Sequence, residues 1–269
     1  MQKLKHFGLL MAARDPRSGA GRSLHGVTTT NSNTRISASR LTPASASPVV
    51  KPGATSNLGL NSERLREAMI RRLREQGITD ESVLSAMQLV ARHIFVDEAL
   101  ASRAYDDAAL PIGHGQTISQ PWVVARMIAS VCEKSVPKKV LEVGTGCGYQ
   151  AAVMAQIFAQ VYSVERIRAL YDMAKEKLRV LKLAKVRLAH ADGMIGWSAN
   201  APFDAIIVAA AGLNIPQALL MQLGVGGVLI APEGGTAQRL VRIERKDEIS
   251  FERKELEVVR FVPLRAGVQ

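Results

Sequence analysis

The chain has 269 residues, of which 47% are hydrophobic and 4% aromatic, and carries a formal net charge of +11. That is enough apolar material for one large core or two modest ones, and the lack of any run of eighteen apolar residues argues against a helical membrane span. Cys132 and Cys147 form neither a Cys-x-x-Cys pair nor a Cys/His cluster, so no disulfide framework and no metal site is expected, and a reducing, cytoplasmic setting follows.

Charge is unevenly spread. Residues 1–60 hold eight Lys/Arg against the single acid Asp15, so +7 of the +11 lies there. This segment is rich in Ser, Thr, Ala, Gly and Pro and lacks apolar periodicity after Met11, so residues 1–58 are expected to be a disordered basic extension. A transit peptide or an extension from an upstream start codon also fits its composition. Residues 59–269 are read as the folded domain, with 59–135 helical and loop-bearing and 136–269 forming a sheet.

Ser62 with Glu63 is expected to open a helix through Leu65, Met69, Ile70 and Leu73 that stops at Gly77. A second helix, capped by Thr79 or Asp80, carries Val83, Met87 and Val90 on its apolar side. Tyr105 to Gln120 is Gly-rich and reads as an irregular lid or loop, and Pro121 suits the first turn of a helix through Ile128. Five strands then alternate with helices, at Val140–Val143, Val161–Glu165, Val186–His190, Phe203–Val208 and Gly227–Pro232. Leu240–Arg245 and Leu256–Val262 follow, separated by a charged turn, so they should pair antiparallel. The fold class is therefore α/β, with ligands expected where the parallel strands end.

The stretch Leu141-Glu142-Val143-Gly144-Thr145-Gly146-Cys147-Gly148-Tyr149 runs from a buried strand into a loop with glycine at every second position. Such a loop lets the backbone approach a ligand, and the helix after it points its N-terminus at the site. A dinucleotide fingerprint would need its third glycine at Tyr149, which disfavours an NAD enzyme. The Gly-x-Gly-x-Gly spacing resembles the S-adenosylmethionine loop of Rossmann-like methyltransferases instead. Glu165 ends the second strand about 20 residues on, where such folds place a carboxylate on ribose hydroxyls. Asp192-Gly193 ends the third strand; a plain Asp-Gly turn is the competing reading.

The block from Asp106 through Pro111-Ile112-Gly113-His114-Gly115-Gln116-Thr117-Ile118-Ser119-Gln120-Pro121 closely resembles the signature of the protein-L-isoaspartate O-methyltransferase family. Arg92-x-x-Phe95-Val96, Leu141 to Gly146, Ser163-Val164-Glu165-Arg166, Asp192-Gly193, Ala201 to Ile206 and Arg260-Phe261-Val262-Pro263-Leu264 extend the match over about residues 60 to 265. The resemblance implies a mostly parallel seven-stranded sheet flanked by helices and closed by antiparallel strands. It also implies methyl transfer from S-adenosylmethionine to the α-carboxylate of L-isoaspartyl residues in damaged proteins and peptides, with no nucleic acid or membrane as partner. A monomer is expected.

By the same resemblance Ser119 is the catalytic residue. The local pattern alone favours a helix N-cap for it, and both roles can coexist. Gln116 and Thr117 are carried over as cofactor-side loop residues. Glu142 would orient the glycine loop and the methionine amine, Gly144 and Gly146 would face the methionine portion, Glu165 would take the ribose, and Asp192 with Gly193 the adenine. Cys147 is read as structural and His114 as an exposed loop residue. Glu233 stands where the family has an aliphatic residue, which bears on peptide preference; Gln238 in that loop is a weaker candidate. A nucleic-acid methyltransferase is the main alternative, motivated by the basic extension. Against it, Val208-Ala209-Ala210-Ala211-Gly212 replaces the Asn/Asp-Pro-Pro-aromatic sequence of amino-group methylases, and few aromatics are present to stack bases.

Overall fold

A computed structural model describes residues 55–269; most of the expected extension, residues 1–54, lies outside the described residues. Helix α1 spans Thr55–Glu75, so it begins seven residues before Ser62 and runs across the boundary expected after residue 58. No proline interrupts the segment, so nothing forces the helical ladder to start at Ser62. Gly77 ends it at φ 90°, where Ile78 N–H donates to Leu73 O at 3.0 Å. Helix α2, Glu81–Leu89, is capped by Asp80, whose carboxylate accepts from Ser82 N and Val83 N.

The segment expected to be irregular contains a small antiparallel hairpin, β1 (Leu110–Gly113) with β2 (Gln116–Ile118). Its strands are too short to show a period, and the turn is built on Gly113, His114 and Gly115, all at positive φ. Leu110 and Ile118 pair across it and are buried, which fixes the register. Helix α3, Pro121–Cys132, follows with Pro121 in its first turn.

From there strands and helices alternate: β3 (Lys139–Val143), α4 (Tyr149–Ile157), β4 (Gln160–Glu165), α5 (Arg168–Val180), β5 (Val186–His190), β6 (Phe203–Val208), α6 (Gln217–Leu220) and β7 (Leu223–Gly234). Strands β8 (Gln238–Arg245) and β9 (Phe251–Val259) complete a seven-stranded sheet of order β5-β4-β3-β6-β7-β8-β9. The first five strands in that order are parallel, and β7-β8-β9 form the expected antiparallel end. The central strands read as continuous apolar runs because both of their faces are covered. Val140, Ala205 and Ile207 pack on the side of α1 to α4 with Met69, Leu73, Met127 and Met154. Leu141, Val143, Ile206 and Val208 point the other way, toward Tyr162, Leu219 and Trp197. The chain leaves β3 toward β4 and later returns to the opposite side with β6, so the loops after β3 and β6 part and open a crevice at their C-terminal ends. No helix among the described residues is long and apolar enough to cross a membrane.

Candidate active site

That crevice is a cleft lined by Gln116, Thr117, Ile118 and Ser119 from the hairpin exit, by Gly144 to Cys147 from the loop after β3, and by Glu165, Ile167 and Leu170. Gly193, Ala209, Ala210, Leu264 and Arg265 complete it. Seven of the expected site residues, Gln116, Thr117, Ser119, Gly144, Gly146, Glu165 and Gly193, thus come from four separate segments to one place.

The glycine loop is held from below. Gly146 N–H donates to Glu165 Oε2 at 2.8 Å, and Glu165 Oε1 accepts from Ile167 N at 2.9 Å. Both carboxylate oxygens keep further lone-pair capacity toward the cleft. Gly148 serves packing: at φ 90° a Cβ there would lie 3.3 Å from Ala174 Cβ on α5. At Gly193 a Cβ would fall 2.5 Å from Val143 Cγ1, so any side chain would push into the wall beside the loop.

Glu142 and Asp192 do not line the cleft. Glu142 is fully buried on β3; its Oε2 accepts from the Ser163 hydroxyl, which also bonds Thr145 Oγ1 at 2.6 Å. Its influence on the loop therefore passes through Ser163 and Thr145. Burial pushes its carboxyl up to about 8, against the Ser163 bond that favours the charged form. The Gln150 side chain, which lines the cleft, is a hydrogen-bonding neighbour of Glu142 and favours its charged form, though less than burial disfavours it. Asp192 accepts from Met194 N at 2.8 Å through one oxygen and from Gly267 N at 2.6 Å through the other. Residues 264–269 cross this end of the cleft as a strap: Gln269 N donates to Arg166 O and Arg168 N to Gln269 O, both at 2.7 Å. Nothing in the pattern of these residues signals that position, because the contacts join residues 75 to 103 positions apart.

On the opposite wall, the N-cap of α3 is Gln120, with no side-chain capping bond, so Ser119 is not the cap that its local pattern suggests. Pro121 brings no N–H that needs a partner, which removes one reason for a capping hydroxyl. The Ser119 hydroxyl is half-buried at the cleft and has no hydrogen-bond partner among the described residues. Its carbonyl accepts from Arg92 Nη2 at 2.7 Å. Arg92, Thr145, Ser163 and Gln150 are residues in or behind the site that sequence reasoning left without a role; for Arg92 its place in the Arg92-x-x-Phe95-Val96 motif was the available signal.

The remaining candidates serve the scaffold. Cys147 is buried, and burial raises its thiol above the ordinary range, which leaves it a poor nucleophile. His114 is an exposed turn residue at φ 53°. Gln238 accepts from Phe261 N at 2.7 Å and donates to Phe261 O at 3.3 Å, pinning the segment after β9. Glu233 accepts from Ile215 N and pairs with Arg253, holding the loop after β6. Among the described residues no group of three or more His, Cys, Asp or Glu could hold a metal ion.

The donor set fits S-adenosylmethionine: an edge carboxylate with free lone pairs suits a ribose diol, the glycine loop lets the backbone approach the methionine portion, and the apolar wall suits the adenosyl rings. Residues 63–269 match the family model for protein-L-isoaspartate(D-aspartate) O-methyltransferase. A protein-L-isoaspartate O-methyltransferase of Bordetella parapertussis is 67% identical over 256 residues, covering 95% of this chain and 98% of its own. Another, from Alcanivorax borkumensis, is 54% identical over 213 residues, covering 79% of this chain and 97% of its own. A Plasmodium falciparum structure described as a protein-L-isoaspartate O-methyltransferase in complex with S-adenosyl-L-homocysteine aligns with a TM-score of 0.66 at 26% identity, covering 74% of this chain and 98% of its own. A chain whose residues 63–269 match the family model, and whose cleft joins the Gln116–Ser119 segment to a Gly-x-Gly-x-Gly loop, belongs to the protein-L-isoaspartate O-methyltransferase family.

Proposed function

We propose that this chain transfers a methyl group from S-adenosylmethionine to the α-carboxylate of L-isoaspartyl residues, with Ser119 aiming the carboxylate. The observation that carries this reading is the meeting of Ser119 with the glycine loop and Glu165 in one cleft. S-adenosylmethionine supplies an electrophilic methyl on a sulfonium. The accepting carboxylate is already ionised at neutral pH, so no general base is needed. What remains is positioning, with the attacking oxygen held in line at roughly 3–3.5 Å from the methyl carbon.

The residues divide that work. Glu165 holds the ribose while keeping Gly146 in place. Gly144 and Gly146 let the backbone run close to the methionine portion, and Glu142 braces the loop through Ser163 and Thr145. Gly193 forms the adenine wall, and Asp192 anchors the strap behind it. Gln116 and Thr117 border the cofactor from the hairpin, and the Ser119 O–H donates to one carboxylate oxygen, leaving the other to attack. Ile118, next to Ser119 in the lining, helps keep water from the reacting atoms. Methyl transfer would release S-adenosylhomocysteine, and the neighbouring backbone nitrogen then attacks the methyl ester carbonyl and expels methanol, giving a succinimide whose hydrolysis partly restores aspartate.

We read the chain further as a cytoplasmic monomer that acts on proteins and peptides, not nucleic acid; its two free cysteines support a reducing compartment. The test is incubation with labelled S-adenosylmethionine and a matched peptide pair, one with L-isoaspartate and one with aspartate. Base-labile label in the isoaspartyl peptide alone is the expected result. Label in neither peptide but in added DNA or RNA would overturn the reading in favour of a nucleic-acid methyltransferase.

A further inference from the structure

Arg92 is fully buried, and its electrostatic neighbours are Tyr149, Cys147 and Tyr105, not a carboxylate. A guanidinium taken out of water without a counter-charge is costly, and an apolar side chain of similar volume would fill the same space more cheaply. What the guanidinium gains is two carbonyls. Its Nε donates to Ala104 O and its Nη2 to Ser119 O, each at 2.7 Å. Those two residues bracket the segment 105–118 that contains β1 and β2, so one side chain ties the two ends of that segment together, the first of which Arg72 Nη2 also holds through Tyr105 O at 2.7 Å.

The same group also touches the cofactor wall. Its guanidinium carbon lies 4.9 Å from the ring centroid of Tyr149, the first residue of α4, directly after the glycine loop. Phe95, from the same short 3-10 turn as Arg92, packs edge-on against that ring at 5.5 Å. Arg92 therefore joins the acceptor hairpin to the helix that carries the glycine loop. A planar fork with fixed donor directions can hold two carbonyls at a set separation, which a lysine ammonium cannot do.

We propose that Arg92 is a positioning residue for methyl transfer, setting where the Ser119 hydroxyl stands relative to the glycine loop. The assignment rests on Ser119 as the group that aims the carboxylate. Transfer between two bound groups is sensitive to displacements of about 1 Å, enough to cost on the order of 100-fold in rate. Loss of the fork lets the hairpin shift while the cofactor wall, tied by its own bonds, stays in place.

The test compares Arg92→Lys, Arg92→Met, Ser119→Ala and the double variant Arg92→Lys/Ser119→Ala. Turnover on an isoaspartyl peptide, the dissociation constant for S-adenosylhomocysteine and the melting temperature are measured for each. Arg92→Met guards against a fold that fails, since it removes the buried charge together with its desolvation cost. Both Arg92 variants should lose roughly 10- to 100-fold in turnover while cofactor affinity stays within about threefold. The double variant should turn over about as slowly as Ser119→Ala alone, because the two residues act as one unit. Unchanged turnover in both Arg92 variants overturns the proposal. So does a loss of cofactor affinity as large as the loss of turnover, which marks general disruption, and so do losses that simply add. If Ser119→Ala turns over like the parent, the Ser119 assignment fails by itself. Slowed Arg92 variants would then still support hairpin positioning, for another group of the 116–119 segment, and unslowed ones would overturn it.

Discussion

On the cofactor wall of the cleft, Glu165 already holds two backbone N–H groups and Glu142 reaches Thr145 through Ser163, whereas across the cleft the Ser119 hydroxyl bonds to nothing among the described residues. On one wall the acids are already fixed in place by the chain itself; the other leaves a hydroxyl free to turn toward the substrate. The difference follows from what each wall meets. A cofactor that is always the same repays preorganised dipoles and charges, because no reorganisation is needed when it binds. A carboxylate arriving on many different protein chains is better met by a short hairpin whose polar groups stay uncommitted until it binds.

The sharpest way to break this contrast is to commit the acceptor wall. Ser119→Asp places a second negative charge against the incoming carboxylate and should leave a folded, almost inactive protein; Ser119→Ala should lower turnover on the order of 100-fold. Neither change should move the melting temperature appreciably, since Ser119 caps no helix. A stable Ser119→Asp protein with full turnover would remove Ser119 from the mechanism.

Loosening the cofactor wall should act on binding instead. Glu165→Gln weakens charge-assisted bonds worth about 1.5–3 kcal/mol, so the dissociation constant for S-adenosylmethionine should rise roughly 10- to 150-fold, with turnover at saturating cofactor within about threefold of the parent. A normal dissociation constant, read by calorimetry, would place the ribose elsewhere.

An effect of another kind, on stability and not on binding or turnover, should appear at Glu142 as a pH dependence. Its carboxyl is raised from 4.5 to about 8 by burial, so across that window the folded protein binds the proton that the unfolded chain has lost. The stabilising contribution is complete below pH 4.5, declines as pH rises and is gone above about 8. The slope is at most about 1.4 kcal/mol per pH unit. Glu142→Gln cannot titrate, so its melting temperature relative to the parent should climb from pH 5 to pH 8. A constant difference across that range would mean that Glu142 is ionised throughout. The smallest effect is expected from deleting residues 1–54, where turnover and melting temperature should be unchanged; the Alcanivorax relative is matched almost end to end by 213 residues.

The cofactor wall was also the more legible of the two. Its strands announce themselves as apolar runs because they lie in the middle of a parallel sheet, and Gly144, Gly146 and Gly148 mark a tight loop wherever they occur. The hairpin leaves a weaker trace. Strands of four and three residues show no period, and the residues of β1 and β2 became legible only as a family block. Ser119 illustrates the limit of local rules: a serine just ahead of Gln-Pro-Trp-Val reads as a cap, but the cap position falls one residue later, at Gln120, and the backbone turns helical at Pro121. The ties of Arg92 to Ala104 and Ser119 and of Gly267 to Asp192 depend on contacts across 12, 27 and 75 positions, which no window of sequence contains.

The strap over the adenine end makes ligand-linked stability a report on the integrity of the chain. Leu264 and Arg265 are part of the cleft, and Gly267 and Gln269 tie down the ends of β4 and β5. A molecule clipped between Pro263 and Gln269 keeps every strand and the whole glycine loop, yet loses one wall of the cleft. Because a ligand stabilises only the state that binds it, saturating S-adenosylhomocysteine should raise the melting temperature of intact molecules by more than that of clipped ones. Bound cofactor should in turn shield residues 264–269 from proteolysis, although this segment has no helix or strand of its own.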